Sequence, residues 1–236
     1  MLSKIHKNYA LILARGGSKR LVGKNLLMLA GHPLIAWTIK AAQNSKSIDR
    51  VYVSTDCEEI SKVSKSYGAE VPWLRPADLS SDTSSSDEAI LHFLDSLGED
   101  TPDFLTLLQP TSPLRHSSDI DNAYSLLGEK TGLGVVSVCH CDHSPLWANT
   151  LPVDNNLGTF IEEKHKTLRS QDLASSYRIN GAIYIFKSNV IAKYGGLFYN
   201  NQTFAYIMPR ERSVDIDEQL DLDFAEFLLK RSNYKI

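Results

Sequence analysis

Strand-like and helix-like segments alternate along most of this chain, and no other sequence feature restricts its possible folds more strongly. Residues 9–14 form a continuously apolar run, which is typical of a parallel strand covered on both faces. A loop rich in glycine and basic residues follows. Strand–helix alternation at this spacing predicts an α/β fold of three αβα layers, with a mostly parallel, doubly wound sheet of about seven strands and right-handed crossovers.

Local hydrophobic patterns predict the other elements. Further strands are expected over residues 50–54, 104–108, 135–138 and 182–186, and a helix over 120–127. Asp56 and Glu59 have the spacing of a capping box, which predicts a helix that ends near Gly68. Three more helices are predicted from apolar faces at 3.6-residue periodicity, formed by Leu34, Trp37, Ala41 and Ala42, by Ile90, Phe93, Leu94 and Leu97, and by Leu220, Phe224, Phe227 and Leu228.

Residues 145–177 interrupt the alternation. This stretch is polar and irregular, and residues 154–158 read as a hairpin-like turn. No repeat or flexible linker divides the chain, so we predict a single domain over residues 1–236 with 145–177 as an excursion from it. Ser213-Val-Asp-Ile-Asp217 has the alternation of an extended strand just before the last predicted helix.

Charge and cysteine content exclude several classes of protein. A formal net charge of −3 provides no basic field for a nucleic acid or an anionic membrane. The apolar run at 9–14 is too short for a secretion signal or a membrane span, so a cytoplasmic location is expected. Three cysteines do not make a disulfide framework. Cys139-His-Cys-Asp-His143 favours a strand end over a zinc site, because Cys139 and His140 should face opposite ways.

The loop after the first strand carries the strongest chemical signal. Arg15, Lys19, Arg20 and Lys24 place four positive charges within ten residues, at the sheet edge where open α/β folds bind ligands. Gly16 and its neighbouring glycine allow backbone N–H groups to approach a ligand closely. The spacing fits neither a dinucleotide fingerprint nor a Walker A loop. The composition predicts a site for a polyphosphate.

This loop resembles the nucleotide-binding signature of the acylneuraminate cytidylyltransferases, which include the CMP-legionaminic and CMP-pseudaminic acid synthetases. The resemblance continues in order along nearly the whole chain. It rests on Arg15-Gly-Gly-Ser-Lys-Arg-Leu-Val-Gly-Lys-Asn25, Val53-Ser-Thr-Asp56, Leu74-Arg-Pro-Ala77, Ser81-Asp-Thr83, Leu108-Gln-Pro-Thr-Ser-Pro-Leu-Arg115, Asn180-Gly-Ala-Ile-Tyr184 and Asp215-Ile-Asp217. Enzymes that activate KDO usually lack the Gly23-Lys-Asn25 form, so the resemblance favours the sialic-acid branch.

The resemblance implies a nucleotide-diphospho-sugar transferase-like fold and a CTP-dependent transfer of CMP to a nonulosonic acid, with release of pyrophosphate. It assigns the catalytic roles to Lys24, Arg15, Lys19 and Asp217. It assigns nucleotide binding to Arg15, Gly16, Lys19, Lys24, Asn25, Arg75 and Ser86. In relatives, the counterpart of segment 145–177 exchanges between the subunits of a homodimer, so a homodimer is expected.

Asp215 and Asp217 match the metal-binding pair of the family and can offer carboxylate oxygens to Mg²⁺ or Mn²⁺. Only Arg210 and Arg212 are basic near this motif, which suggests that a metal cation meets most of the carboxylate charge. Asp221, one turn further on, is expected to be a surface acid.

Sugar binding is assigned by resemblance to Gln109, Arg169, Tyr184, Leu197 and Phe198. Both Arg169 and Arg178 are candidates to bind the sugar carboxylate. Many members of the family have an arginine at the position of Ser170, and some have a basic residue at that of Trp147. Two alternatives stay open: activation of KDO or another sugar acid, and a non-catalytic nucleotide-binding regulator of the same fold.

Overall fold

A six-stranded mixed sheet forms the centre of the molecule. The computed structural model describes residues 6–81, 83–232 and 234–236, so Asp82 of the Ser81–Thr83 block lies outside the described residues. The strands are β1 (Asn8–Leu13), β2 (Met28–Leu29), β3 (His32–Pro33), β4 (Arg50–Ser54), β5 (Phe104–Leu107), β6 (Gly134–His140), β7 (Tyr177–Lys187) and β8 (Thr203–Ile207). The helices are α1 (Leu34–Gln43), α2 (Glu58–Ser66), α3 (Ser86–Leu97), α4 (Ser117–Lys130), α5 (Ser188–Tyr194) and α6 (Gln219–Ser232).

The order of the main sheet is β4-β1-β5-β7-β6-β8, and β2 and β3 form a separate antiparallel pair. Strand β7 runs antiparallel to both β5 and β6, whereas β1 is parallel to β4 and β5, and β6 is parallel to β8. The mostly parallel α/β sheet is therefore confirmed, although it has six main strands rather than seven. The antiparallel strand was not foreseen, because a buried apolar run has the same pattern in either direction.

Helices cover the two faces of the sheet, as predicted for three layers. Alternate residues of β1 point to opposite faces. One face packs against α1, α2 and α4 through a core that contains Ile12 of β1 and Ile39 of α1. The other face packs against α3 and α5 through a core that contains Leu11 of β1 and Phe93 of α3. Helix α6 joins a third apolar cluster with Trp37 at the side of α1.

The apolar faces of α1 and α3 are confirmed, because their predicted residues are buried or partly buried. The last predicted helix is confirmed as α6, but the apolar face predicted for it was wrong. Leu222, Ala225 and Leu229 face the core, while Leu220, Phe224 and Phe227 are exposed. The α6 sequence carries apolar residues on two faces, and periodicity alone does not say which face meets the protein.

Two local predictions are also corrected. Cys57 rather than Asp56 precedes α2 as the N-cap, and the Asp56 Oδ1 atom instead accepts a hydrogen bond from the Gly16 N–H. Residues 154–158 do form turns, but in segment 145–176, all of which the structure describes, no strand flanks them. That segment contains short 3₁₀ turns and is largely exposed. Cys139 is buried and His140 exposed, as the alternation predicted.

The pairing of β7 with β6 changes register near the carboxyl end of β5. Val136 pairs with Tyr184, whereas Val138 pairs with Ile179, so β7 bulges between these pairs. Gly181 lies in the bulge with a φ of 77°, a left-handed conformation that favours glycine. Nothing in the described part of the chain is both long and apolar enough to form a membrane-spanning helix.

Candidate active site

A cleft of about 410 Å³ opens at the carboxyl ends of β1 and β5. Parallel strands bring the loops that follow them to the same sheet edge, which is where open α/β sheets bind ligands. The first loop contributes Arg15, Lys19, Lys24 and Asn25, all of which were predicted from the sequence. Distant segments contribute three more predicted residues, Ser86, Gln109 and Asp217. Seven of the predicted site residues therefore line one cleft.

The first loop is fixed at both ends. Asn25 is buried, and its Nδ2 atom donates a hydrogen bond of 3.0 Å to the Arg15 carbonyl. Gly23 adopts a φ of 64° and precedes a short 3₁₀ helix over Lys24–Leu26, which positions Lys24 in the cleft. The N–H of Gly16, predicted to bind nucleotide, donates to Asp56 over 2.9 Å, and Gly16 does not line the cleft.

Two basic side chains hold the Asp217 carboxylate. Lys24 Nζ lies 2.9 Å from Asp217 Oδ1, and Arg20 Nη1 lies 2.8 Å from Asp217 Oδ2. The hydrogen bond from Lys24 is the main reason that the pKa of Asp217 is below its usual range. Arg210 and Arg212 are the basic residues nearest to the acidic pair in sequence, but the two cations that contact Asp217 come from a loop almost 200 residues earlier.

Asp215 has different surroundings. Residues 213–217 do not form the strand that their alternation suggested, although Ile216 is buried and its N–H donates to the Thr111 carbonyl. The Asp215 side chain opens to solvent, but the protein around the carboxylate partly desolvates it and so raises its pKa. A hydrogen bond with Thr111 opposes this rise, and the charge of Asp217 adds to it.

A buried ion pair anchors the segment that leads to these two acids. Arg212 donates two hydrogen bonds, of 2.8 and 2.9 Å, to the fully buried carboxylate of Asp119 at the start of α4. Arg210 pairs with Asp142 instead. At the far end, Asp221 Oδ2 accepts the backbone N–H groups of Asp217 and Glu218. Asp221 is thus a cap that fixes Asp217, and the prediction of a plain surface acid was wrong.

Gln109 belongs to a loop that a buried arginine supports. Arg115 is fully buried and donates hydrogen bonds to the Ala182 carbonyl, to Thr38 Oγ1 and, over 3.4 Å, to the Gln109 carbonyl. Burial lowers the pKa of Arg115 to about 10. The side chain of Gln109 lies against Gly181, where a Cβ atom would come within 2.5 Å of Gln109 Oε1. Arg115 therefore holds the backbone of Gln109, and Gly181 leaves room for its side chain.

A second cavity, of about 340 Å³, adjoins the cleft and shares Leu13, Arg15 and Ser86 with it. Arg75 lines this cavity, and burial lowers the pKa of its guanidinium. Its Nε atom donates to Ser80 Oγ over 2.9 Å. Arg75 and Ser86, both predicted to bind nucleotide, therefore line this cavity together with Arg15.

The residues predicted to contact the sugar are more scattered. Tyr184, Leu197 and Phe198 belong to the apolar core beneath α3 and α5 and do not line the cleft. Burial raises the pKa of Tyr184 to about 12, and Asp215 lies near enough to contribute to the rise. Arg169 lies outside the cleft on the exposed segment, where it pairs with Asp172 over 2.8 Å.

The structure adds site residues that the sequence analysis did not select. Arg20 contacts Asp217, Ser18 and Thr111 line the cleft, and Asp87 accepts the Leu197 N–H over 2.9 Å. Arg20 was counted among the four charges of the first loop but was given no role. Arg115 ended a motif that was recognised, yet only the tertiary structure shows that its side chain turns inward.

Comparisons with known proteins identify the family of this chain. A family model described as "Cytidylyltransferase" matches residues 9–226. The chain belongs to the cytidylyltransferase family. The predicted resemblance and the predicted class of nucleotidyltransferase are thereby confirmed.

Several cytidylyltransferases are similar over almost the whole chain. The CMP-N,N'-diacetyllegionaminic acid synthase of Legionella pneumophila is 36% identical over 228 residues, covering 94% of this chain and 95% of the relative. The pseudaminic acid cytidylyltransferase of Campylobacter jejuni is 33% identical, covering 95% and 97%. The N-acylneuraminate cytidylyltransferase of Escherichia coli is 38% identical, covering 96% of this chain but 53% of the relative.

Solved structures confirm the fold. A CMP:2-keto-3-deoxy-manno-octonic acid synthetase complexed with CTP has a TM-score of 0.72 at 16% identity, covering 96% of this chain and 99% of that one. A 4-diphosphocytidyl-2C-methyl-D-erythritol synthase from Anaerococcus prevotii has a TM-score of 0.67 at 12% identity, covering 96% and 99%. At these identities the likeness concerns the cytidylyltransferase fold alone.

Proposed function

We propose that the protein joins CMP from CTP to a nonulosonic acid and releases pyrophosphate. The observation that carries this proposal is the cleft itself, where Arg15, Lys19, Arg20 and Lys24 surround the carboxyl end of β1. Relatives that are 33–38% identical over most of the chain are named for legionaminic, pseudaminic and N-acylneuraminic acid. The sugars in these names are all nonulosonic acids, which such enzymes activate as CMP derivatives.

The reaction needs positioning and charge neutralisation more than covalent chemistry by the protein. The anomeric hydroxyl of the sugar attacks the α-phosphorus of CTP. A new oxygen–phosphorus bond forms, the bond between the α-phosphorus and the β-phosphate oxygen breaks, and the hydroxyl proton passes to solvent or a basic oxygen. Lys24, Arg15 and Lys19 would bind the phosphates and stabilise the charge that moves onto pyrophosphate. Arg75 and Ser86, in the adjoining cavity, would hold the nucleoside.

Asp215 and Asp217 suit a divalent metal of the Mg²⁺ type. The two carboxylates lie close enough for the charge of one to raise the pKa of the other, and both belong to the segment that borders the cleft. Among the described residues, no group of three or more metal-binding side chains comes together, so phosphates and water would complete the shell. A bound Mg²⁺ or Mn²⁺ would neutralise phosphate charge during the transfer.

Gln109, which also lines the cleft, would contact the sugar or the base edge through its amide. The sugar carboxylate requires a cation. Arg178 lies near Asp215, whereas Arg169 would reach a cleft only by exchange of the exposed segment between two subunits. A homodimer is therefore part of this proposal. The cytoplasmic location stays a prediction from the sequence.

Activation of KDO or another sugar acid remains the second candidate, because the basic loop would bind the phosphates of CTP whichever sugar acid is attached. A non-catalytic regulator is disfavoured, because the basic loop and both acids are retained together. The test is pyrophosphate release with CTP and Mg²⁺ against a panel of N-acetylneuraminic, legionaminic and pseudaminic acids and KDO. We expect release that requires both CTP and one of the nonulosonic acids. The proposal would be refuted if KDO were the only acid that supports pyrophosphate release, or if no acid supported it.

A further inference from the structure

The contact between the basic loop and Asp217 joins two groups that the reaction would use separately. Lys24 and Arg20 each hold one oxygen of the same carboxylate, so Asp217 bridges them. Lys24 also donates to the Ile216 carbonyl over 2.7 Å, and its side chain is only 12% exposed. An ammonium has three donors, so two of those on Lys24 are engaged within the protein.

This arrangement resembles the contacts that a phosphate would make. Carboxylates and phosphates accept the same charge-assisted hydrogen bonds from lysine and arginine. Arg20 and Lys24 line the cleft beside Asp217, where phosphate oxygens would compete with the carboxylate for both cations. A triphosphate carries more charge and more acceptor oxygens than one carboxylate. Binding of the triphosphate is therefore an exchange of partners rather than a simple addition.

We propose that Arg20 is a further triphosphate-binding residue, and that Asp217 holds Arg20 and Lys24 in place until the triphosphate replaces it. This inference rests on the proposed function. Before the exchange, two adjacent cations oppose the binding of a metal cation at Asp217. After the exchange, the carboxylate is available to a divalent metal. The triphosphate thus prepares the metal site, and the two ligands bind cooperatively.

The geometry also explains why both cations are held before the ligand arrives. Arg20 is two-thirds exposed, and a free arginine side chain at the surface samples many rotamers. The ion pair with Asp217 orders it beside Lys24, and the capping of Asp217 by Asp221 fixes the carboxylate in turn. The free protein therefore already bears part of the entropy cost of ordering these side chains for phosphate binding.

The test is calorimetric binding of CTP and of inorganic pyrophosphate, without metal and with EDTA, at low ionic strength. We expect Asp217→Asn to tighten binding of both ligands by about tenfold, equivalent to about 1.4 kcal/mol, because the competing carboxylate is lost. Asp215→Asn is the matched control. It removes the same charge two residues away, where Lys24 acts on the carboxylate through its charge but forms no ion pair with it, so we expect a change of less than about threefold.

A double-mutant cycle distinguishes an exchange of partners at Arg20 from a general effect of the charge of Asp217 on anion binding. Arg20→Gln is expected to weaken pyrophosphate binding by less than about threefold in the wild type. The lost contact with phosphate is offset there, because the ion pair between Arg20 and Asp217 no longer has to be broken. In the Asp217→Asn background the loss should reach about tenfold, because no carboxylate competes. In the Asp215→Asn background it should match the wild type. Thermal melts identify any variant that fails to fold.

Equal effects of Arg20→Gln in all three backgrounds, or unchanged binding by Asp217→Asn, would overturn the exchange. The proposed enzymatic function is judged separately, by turnover of CTP in the wild type. If CTP is turned over while the cycle is additive, the exchange is wrong and the function stands. If pyrophosphate shows the predicted coupling while no sugar acid is activated, the exchange stands and the function is wrong.

Discussion

Substitution of Gly181 by alanine tests how far the site depends on close packing beneath it. Gly181 is buried in the β7 bulge with a φ of 77°. An added Cβ would lie 2.5 Å from Gln109 Oε1 and 3.3 Å from Gln109 Cδ. A Cβ contact under 3 Å is not tolerated, so the end of the Gln109 side chain has to move. The loop backbone is held by Arg115, which leaves the amide as the part that moves.

Two effects of Gly181→Ala are measured by different quantities, the melting temperature and kcat/KM. The left-handed backbone conformation costs a residue with a Cβ about 1–2 kcal/mol, which lowers the melting temperature of a chain of this size by about 2–8 °C. Displacement of the Gln109 amide removes one or two neutral hydrogen bonds to ligand, about 1.4 kcal/mol. We therefore expect kcat/KM to fall by about tenfold.

Gly195→Ala provides the control. Gly195 has a φ of 73°, but nothing lies within 4 Å of its added Cβ. It carries the same backbone strain without touching the site, so its melting temperature should fall similarly while kcat/KM stays within about twofold of the wild type. Thermal melts and steady-state pyrophosphate release measure both quantities. Equal kcat/KM for the two variants would show that Gln109 is not positioned by Gly181.

Three further predictions concern charge. Lys24→Ala should lower turnover by about a hundredfold or more, since a phosphate-facing cation is lost. The control is Lys62→Ala, at an exposed position on α2, which should leave turnover unchanged. Similar rates of pyrophosphate release by the two variants would show that Lys24 has no part in catalysis. Arg169→Ala should raise the KM for the sugar acid far more than the KM for CTP. If only Arg178→Ala has this effect, Arg178 of β7 binds the sugar carboxylate instead. Burial and nearby positive charge lower the pKa of His116, so below about pH 6.5 the unfolded chain binds a proton that the native protein resists, and stability falls. His116→Phe should reduce the loss of melting temperature between about pH 7.5 and about pH 5.5, and an unchanged loss would assign it to other groups.

Sequence reasoning placed residues of the cleft correctly where charged or polar residues directly follow a buried strand. The first loop follows a buried strand directly, and its cations were expected at the sheet edge where the cleft lies. Gln109 follows β5, the neighbour of β1, for the same reason. Parallel strands carry the loops after them to one edge, so chain order is enough to place such residues together.

The residues that sequence reasoning missed or misplaced depend on side-chain direction and on contacts between distant segments. Arg115 was given no role from its motif, yet it is fully buried and donates hydrogen bonds to three oxygen acceptors inside the fold. Asp217 seemed to lack basic neighbours, because those neighbours are about 190 residues away in sequence. No local pattern reports such a contact.

The sequence alone determined the α/β class and placed the basic first loop at the edge of the sheet that carries the cleft. These follow from hydrophobic periodicity and from residues close together in the chain. Tertiary structure decided that β7 runs antiparallel, which face of α6 is buried, and which cations meet Asp217. The reason is that packing selects among alternatives that local free energies barely distinguish, and that the partners of a buried or charged group are chosen by the whole fold.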